Sequence, residues 1–596
     1  MPHHAVHRLL RPLLMWRARH VSERMYMLLL SVLVGAAAGL AAVLLKTSVQ
    51  RGQELLQGGI SEPSRVFALS LYPIIGITLT VLVTKYFLGG QLNRGIGPII
   101  YNTAREGSVV PRSKLYSQLI TAFLTVTFGG SAGTEAPISV TGAAIGSNSG
   151  RVLHLDRRRR RRLLTGCGAA AGVAAIFNSP IAGVLFAVET ILLELPAQYF
   201  IPLLISSATA TVISKALYAG QPFVLITTSW PVNAVPFYVL LGLFTAVFSV
   251  YMIRTYHWFE KFFERWPGLD WRKVLVGGTL LGGLIFLFPT LYGEGYNTVQ
   301  LLLTGHPEHI TDGSIFSVYQ DDNPWLLLVL VLFSLMLKVV ATSITVGAGG
   351  NGGMFGSSLF GGALAGFFFA RIINLSGLIH IPEVHFVVLG MAGTLAGVIH
   401  APLTAIFLIA EITGGYALFV PLMVVCSSSY LITKYFEPYS IYTRKLTLKG
   451  VDVYANRDRG LLAQLDPRKL LETDFIAVRP STTLGELVEI FRHSSRDLFP
   501  VVAAGGRLLG VVSLDSVRDA LFDDAHYATT HVRELMKPAR GIIGPNDDLE
   551  HTLSLLDRTG AWALPVCEED GRYLGFILKS TILVRYRRQL IQESEV

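Results

Sequence analysis

The chain has 596 residues, 51% of them hydrophobic and only 15% charged, with a mean hydropathy of +0.49. Soluble domains carry about 25% charged residues, so an ordinary soluble enzyme is excluded. The net charge of +9 comes from basic residues placed beside apolar spans, a positive-inside pattern rather than a nucleic-acid surface.

Residues 1–24 are basic (Arg8, Arg11, Arg17, Arg19, Arg24) and lead into Met25–Lys46. That segment is long enough to cross ~30 Å of hydrocarbon and no cleavage site follows, so an uncleaved first helix is predicted. Long uncharged runs then recur to about Tyr435. Gly129–Pro137 (GGSAGTEAP) places glycines ahead of a proline that suits a first helical turn. Unpaired amides at such a helix N-terminus attract anions, and Glu135 is a carboxylate tethered there. Arg157–Arg162 is read as a cytosolic loop beside anionic lipid. Leu163–Leu193 would be one apolar run but for Asn178-Ser179-Pro180 in its middle. Broken helices survive at membrane depth only where protein buries the backbone or it lines a cavity. Glu294, in Gly293-Glu294-Gly295-Tyr296, is read as a loop residue without a role.

An internal repeat organises these segments. At an offset of 222 positions Gly168 meets Gly390, Ala174 meets Ala396, Pro180 meets Pro402 and Glu189 meets Glu411. Gly129–Gly146 matches Gly349–Gly366 at nearly the same offset, with Phe355 where Glu135 stands. Repeats with interrupted segments in matching places mark secondary transporters, with the site at the repeat interface. The expected fold is an all-α multi-pass membrane domain with an internal inverted repeat and broken helices, spanning 25–446. Its repeats cover roughly 25–220 and 235–446. A linker, 447–467, leads to two α/β units at 468–528 and 529–592. Each has a capped helix (Pro480–Leu484, Pro545–Leu549) and paired strands such as Phe499–Val502 with Leu508–Leu514. This tail resembles a CBS pair, a module that often binds adenine nucleotides.

Four motifs in order resemble the CLC family of chloride channels and proton-coupled exchangers. They are Gly133–Pro137, Phe177–Glu189, Gly353–Ser357, and Tyr442 within Ser440-Ile441-Tyr442. The resemblance covers nearly everything from Met25 onward and implies a homodimer with one pore per protomer. It implies that chloride is held by the amides of Met354 and Phe355 and by the Tyr442 hydroxyl. It makes Glu135 the gate and proton acceptor, and implies a bacterial inner-membrane protein with both termini cytosolic. Ala136 and Ser357 depart from the family's G-x-E-G-P and G-x-F-x-P patterns.

Three further departures bear on function. One register puts Arg94 where the family has an anion-coordinating serine, while a one-residue gap puts Asn93 or Ile96 there. Thr190 stands where proton-coupled members carry an internal glutamate, leaving the neighbouring Glu189 as a proton-pathway candidate or a packing carboxylate. In the tail, Ser513 and Asp515 are the nearest nucleotide candidates, but Ser516 takes the usual aspartate position, so the tail is read as a structural dimerisation unit. No cofactor is required. A passive voltage- or pH-gated chloride channel stays open as an alternative to exchange. A divalent-cation channel with CBS regulators is more distant, because its pore needs carboxylates that the spans largely lack. No HExxH, GxSxG or paired aspartates occur in the spans, so no enzyme is expected. No metal site is expected at His3, His4 and His7.

Overall fold

A computed structural model describes residues 20–58, 62–90, 95–104, 108–153, 158–193, 199–218, 230–266, 270–311, 314, 324–377, 379–448, 462, 465–518, 520 and 526–594. Arg94, most of the basic N-terminal segment and most of the linker lie outside them. The chain divides into two compact units that part between Val453 and Tyr454. Seven helices among the described residues are long and apolar enough to cross a membrane.

The first unit begins with α1 (Glu23–Gln57), capped by the Ser22 hydroxyl, which accepts from the Met25 amide at 3.4 Å. It runs well past Lys46, where the sequence suggested an end. The Lys46 amine turns into the protein and donates to the Ile176 carbonyl at 2.8 Å, so this charge does not break the span. Helices α2 (Glu62–Phe87), α3 (Gly97–Ala104) and α4 (Lys114–Thr127) lead to α5 (Glu135–Val152), α6 (Arg158–Phe177) and the short α7 (Pro180–Phe186). After α8 (Phe200–Leu217) the second half runs through α9 (Val235–Glu264), α10 (Trp271–Leu287), α11 (Tyr296–Thr304) and α12 (Pro324–Ala348). It continues as α13 (Met354–Ser376), α14 (Glu383–Ile399), α15 (Pro402–Ile412), α16 (Phe419–Phe436) and α17 (Arg444–Leu448).

The repeat appears in the packing itself. Helices α5 and α6 cross backbone to backbone: a Cβ on Gly142 would strike the Gly168 carbonyl, and one on Gly146 the Leu164 carbonyl. The matching pair α13 and α14 crosses the same way, Gly362 against Gly390 and Gly366 against Phe386. Without a hydrophobic driving force between helices in lipid, close backbone approach supplies the dispersion contact that holds them. The helix breaks repeat too. Asn178 and His400 both take a left-handed backbone, φ 56° and 57°, a conformation that asparagine and histidine tolerate better than most residues. A proline then starts each following helix, at Pro180 and Pro402.

Each short helix is capped by a carboxylate from the other repeat. Glu411 accepts from the Ile181 and Ala182 amides at 3.2 and 3.0 Å. Glu189 accepts from the Leu403 and Thr404 amides at 3.1 and 2.7 Å, and from the Thr404 hydroxyl at 2.7 Å. Both of its oxygens are thus engaged in holding α15.

In the second unit, α18 (Leu484–His493) starts from a capping box between Thr483 and Glu486. Strands β1 (Leu498–Val502) and β2 (Leu508–Ser513) pair antiparallel and feed α19 (Leu514–Val517). The second copy has α20 (Val532–Leu535), α21 (Leu549–Thr559), the antiparallel pair β3 (Ala563–Cys567) and β4 (Tyr573–Leu578), and α22 (Lys579–Ser594). The two hairpins clasp each other, Leu508 N–H to Gly571 O at 3.1 Å and Tyr573 N–H to Gly506 O at 3.0 Å. Arg496 adds ion pairs to Glu472 at 2.5 Å and Asp474 at 2.8 Å.

Glu411→Ala removes both amide caps of α7 and is expected to cost about 1–2 kcal/mol of stability, read as a lowered unfolding temperature in detergent. Glu411→Gln, which keeps a carbonyl acceptor, is expected to lose less.

Candidate functional site

The site forms where the two glycine-rich segments meet. Gly129, at φ 80°, turns the chain off α4, and Gly130 N–H returns to the Thr125 carbonyl at 2.8 Å. On the other side Asn351, fully buried, is pinned to α4. Its side-chain amide donates to Gln118 Oε1 at 3.0 Å and Thr121 Oγ1 at 2.8 Å, and its backbone N–H to Thr125 Oγ1 at 2.9 Å. So fixed, Gly133 and Gly353 form an antiparallel bridge: Gly133 N–H to Gly353 O at 3.1 Å, Gly353 N–H to Gly133 O at 2.9 Å. The bridge sets the N-termini of α5 and α13 side by side. A side chain on Gly353 would lie 2.6 Å from the Ala136 methyl, so only glycine permits this approach.

Glu135 opens α5 and is 1% exposed. Its carboxylate does not serve its own helix alone. It reaches across to α13, where a Cβ on Gly356 would lie 3.0 and 3.2 Å from its two oxygens. The Tyr296 hydroxyl, from the start of α11, donates to Oε1; Oε2 finds no side-chain hydrogen-bond partner among the described residues. A carboxylate therefore lies where the amides of a helix start would otherwise attract a free anion. Phe355 is buried between Phe177 and Phe186, with ring centroids at 5.4 and 6.0 Å.

A cavity of about 1010 Å³ approaches the same pair of helix starts. The turn Gly95–Pro98, Lys114, Tyr256, Met354, Tyr442 and Lys445 contribute to its wall, which reaches Ala136 but not Glu135 or Phe355. The Tyr442 hydroxyl has no hydrogen-bond partner among the described residues. Lys445 is held between Glu260 and Glu264 at 2.8 and 2.9 Å.

Of the residues named from the sequence, Glu135, Met354, Phe355 and Tyr442 thus cluster around the two helix starts. Glu189 lies apart as the α15 cap. Thr190 is buried with its hydroxyl unpartnered, and Arg94 lies outside the described residues. Sequence reasoning passed over Tyr296, Glu294 and Lys338. Glu294 receives the Thr134 amide at 2.9 Å and the Thr134 hydroxyl at 2.7 Å, one residue before the gate candidate. Lys338 is the single charge in the apolar α12, and ionisable residues inside membrane spans point to function. That was the available signal.

In the tail, the Ser513 hydroxyl accepts from the Ser516 amide at 3.3 Å, while Ser516 Oγ accepts from the Ser513 amide at 3.0 Å. Asp515 pairs with Arg518. Burial pushes the Cys567 thiol above its usual range.

A family model for the voltage gated chloride channel matches residues 76–434, and the CBS-domain model matches 468–523 and 532–588. The chain belongs to the CLC family. It is a multi-pass membrane transporter or channel, not an enzyme. It is 29% identical over 437 residues to a ClcB-like chloride channel protein of Ralstonia nicotianae, covering 70% of this chain and 96% of that one. It is also 29% identical to the H(+)/Cl(−) exchange transporter ClcA of Klebsiella pneumoniae, over 70% of this chain and 87% of that one. Two solved CLC structures share its fold. A slow cyanobacterial Cl−/H+ antiporter superposes with a TM-score of 0.60 at 24% identity, over 73% of this chain and all of the other. A eukaryotic CLC transporter superposes at 0.62 and 17%, over 93% of this chain and 97% of the other.

Tyr296→Phe removes a hydrogen bond to a carboxylate, a contact type worth about 1.5–3 kcal/mol. If that bond latches Glu135 against α13, anion flux at neutral pH is expected to rise about tenfold or more in a liposome efflux assay. An unchanged rate contradicts the latch.

Proposed function

We propose that this CLC protein exchanges a small anion, chloride foremost, for protons across a membrane, with Glu135 as gate and proton acceptor. The observation that carries the reading is the Glu135 carboxylate lying over the start of α13, just beyond the reach of the cavity walled by Met354 and Tyr442. Two negative charges about 4 Å apart repel by about 4 kcal/mol at an effective dielectric near 20. A carboxylate and a free anion therefore compete for one position. Protonation removes the charge and releases the carboxylate, so each anion that enters favours a proton on Glu135 and each proton favours an anion. Met354 and Phe355 present backbone amides to the anion, and Tyr442 presents a hydroxyl. The relatedness to a named H(+)/Cl(−) exchange transporter supports proton coupling.

Assembly and placement belong to the same reading: a homodimer with one pore per protomer, in a bacterial inner membrane, both termini cytosolic. Passive chloride conduction is a second reading. It is favoured by Thr190, a neutral residue at the usual position of the inner proton acceptor, and by the engagement of Glu189 in capping α15.

Proteoliposomes loaded with chloride test the proposal by recording anion efflux and pH together. Exchange gives proton uptake that scales with efflux and disappears in Glu135→Gln, while chloride flux persists. Chloride efflux with no pH change in the unaltered protein selects the channel reading. Coupling that survives in Glu135→Gln contradicts the gate assignment.

The CBS pair is proposed to act as a dimerising tail rather than a nucleotide sensor, because Ser513 and Asp515 are occupied by Ser516 and Arg518. Calorimetric titration of the full chain with ATP is expected to show no saturable binding below millimolar concentration. A micromolar Kd lost in Ser513→Ala contradicts this.

A further inference from the structure

A partly buried charge cluster lies next to the gate, and the CLC motifs do not account for it. The turn Gly293–Tyr296 is tied to the site at four points. Gly293 N–H donates to the Gly129 carbonyl at 3.1 Å. Thr134, the residue capping α5, donates its amide and its hydroxyl to Glu294. Tyr296 donates to Glu135. Lys338, 0% exposed, clamps the turn from α12 by donating to the Gly293 carbonyl at 2.7 Å. The two facing helix starts thus each carry a carboxylate, Glu135 against α13 and Glu294 against α5.

Two carboxylates in a pocket, Glu135 buried and Glu294 half-buried, need compensating charge. Lys338 of α12, bonded to the carbonyl of the residue before Glu294, and Lys46 of α1, bonded to the end of α6, are the cations placed to supply it. Neither lysine forms a direct ion pair with them: Lys46 donates to the Ile176 carbonyl and lies over the Tyr218 ring at 4.2 Å. The titratable groups around the two acids include Tyr296 of α11, Lys46 of α1, Lys338 of α12, Tyr218 just after α8 and, on the Glu135 side, Tyr442 just before α17. With both acids ionised and both lysines protonated the quartet is neutral. A proton on Glu135 leaves it with one positive charge in excess, which an arriving anion neutralises.

We propose that Glu294 is a positioning residue for exchange: a fixed second carboxylate that, balanced by Lys338 and Lys46, sets the pH at which Glu135 gives up its place to the anion. This rests on the reading of Glu135 as the gate. Glu294 repels the ionised Glu135 and so favours its protonation, whereas the lysines favour its ionised form. Neutralising Glu294 must therefore make opening harder, and neutralising a lysine must make it easier.

The test is initial chloride flux against external pH, in proteoliposomes, for the full-length protein and four variants. Glu135→Gln serves as the reference: a flat profile upholds the gate reading, and an unaltered pH-dependent profile overturns that reading on its own. Given a flat reference, Glu294→Gln preserves an acceptor for Thr134 but removes the charge. It is expected to move the midpoint to more acidic pH by about one unit, a tenfold change in proton concentration. Lys338→Met is expected to move it about as far in the alkaline direction, with Lys338→Arg staying near the unaltered protein. If Lys338→Met does not fold, Lys46→Met in its place must shift the midpoint the same way. A Glu294→Gln midpoint that stays in place overturns the proposal. So do shifts of equal sign in the glutamate and lysine variants, or a uniform loss of flux at every pH.

Discussion

The two backbone hydrogen bonds between Gly133 and Gly353 hold together elements that nothing local would bring side by side. They join one repeat to the other at the N-terminal ends of α5 and α13, so two helix starts with incomplete hydrogen bonding face a common space. Such ends carry about half a positive charge each. Placing two together is unfavourable without negative charge nearby, and Glu135 and Glu294 provide it from within the chain. On the proposed reading the site carries its own substitute for the ligand, and displacement by a diffusible anion is then a near-balanced exchange rather than a tight binding event.

The surrounding structure is arranged to make that bridge rigid. Gln118, Thr121 and Thr125 form one face of α4 and hold Asn351. Glycine crossings lock α5 to α6 and α13 to α14 at equivalent positions in both repeats. The reciprocal caps by Glu189 and Glu411 tie the broken ends of each repeat to the other. These devices all work by hydrogen bonding or close contact rather than by hydrophobic sorting, as expected where lipid and helix surface are equally apolar. Rigidity matters because a carboxylate and an anion discriminate between neighbouring positions only if the amides that hold them stay in place.

Much of this was legible in the chain because duplication leaves marks that chemistry constrains. Pro180 and Pro402 in register announced the breaks, and the structure puts Asn178 and His400 in the same unusual backbone conformation just before them. Glu135 stood out because a carboxylate among glycines in an apolar setting needs a reason. The tail's first hairpin followed from the apolar runs Phe499–Val502 and Leu508–Leu514. What stayed hidden depends on distance in sequence. Nothing near Gly133 specifies Gly353 as its partner. Tyr296 and Glu294 come to Glu135 and its helix start through a turn whose flanking glycines read as an ordinary loop. The pairing of Glu189 with Thr404 is likewise set by the fold, so the sequence left Glu189 between a proton-path role and a packing one. The extent of α1 was missed because Lys46 reads as a boundary until its carbonyl partner is known.

On the proposed reading, the Glu135 carboxylate and a free anion compete for one position at the start of α13. Crystals of the protein and of Glu135→Gln grown in bromide, with anomalous scattering recorded, test it most directly. Competition places bromide at the position of the carboxylate only in the variant, while both proteins hold bromide near Met354 and Tyr442. Bromide found beside an undisplaced Glu135 carboxylate over α13, or absent from that position in the variant, would contradict it.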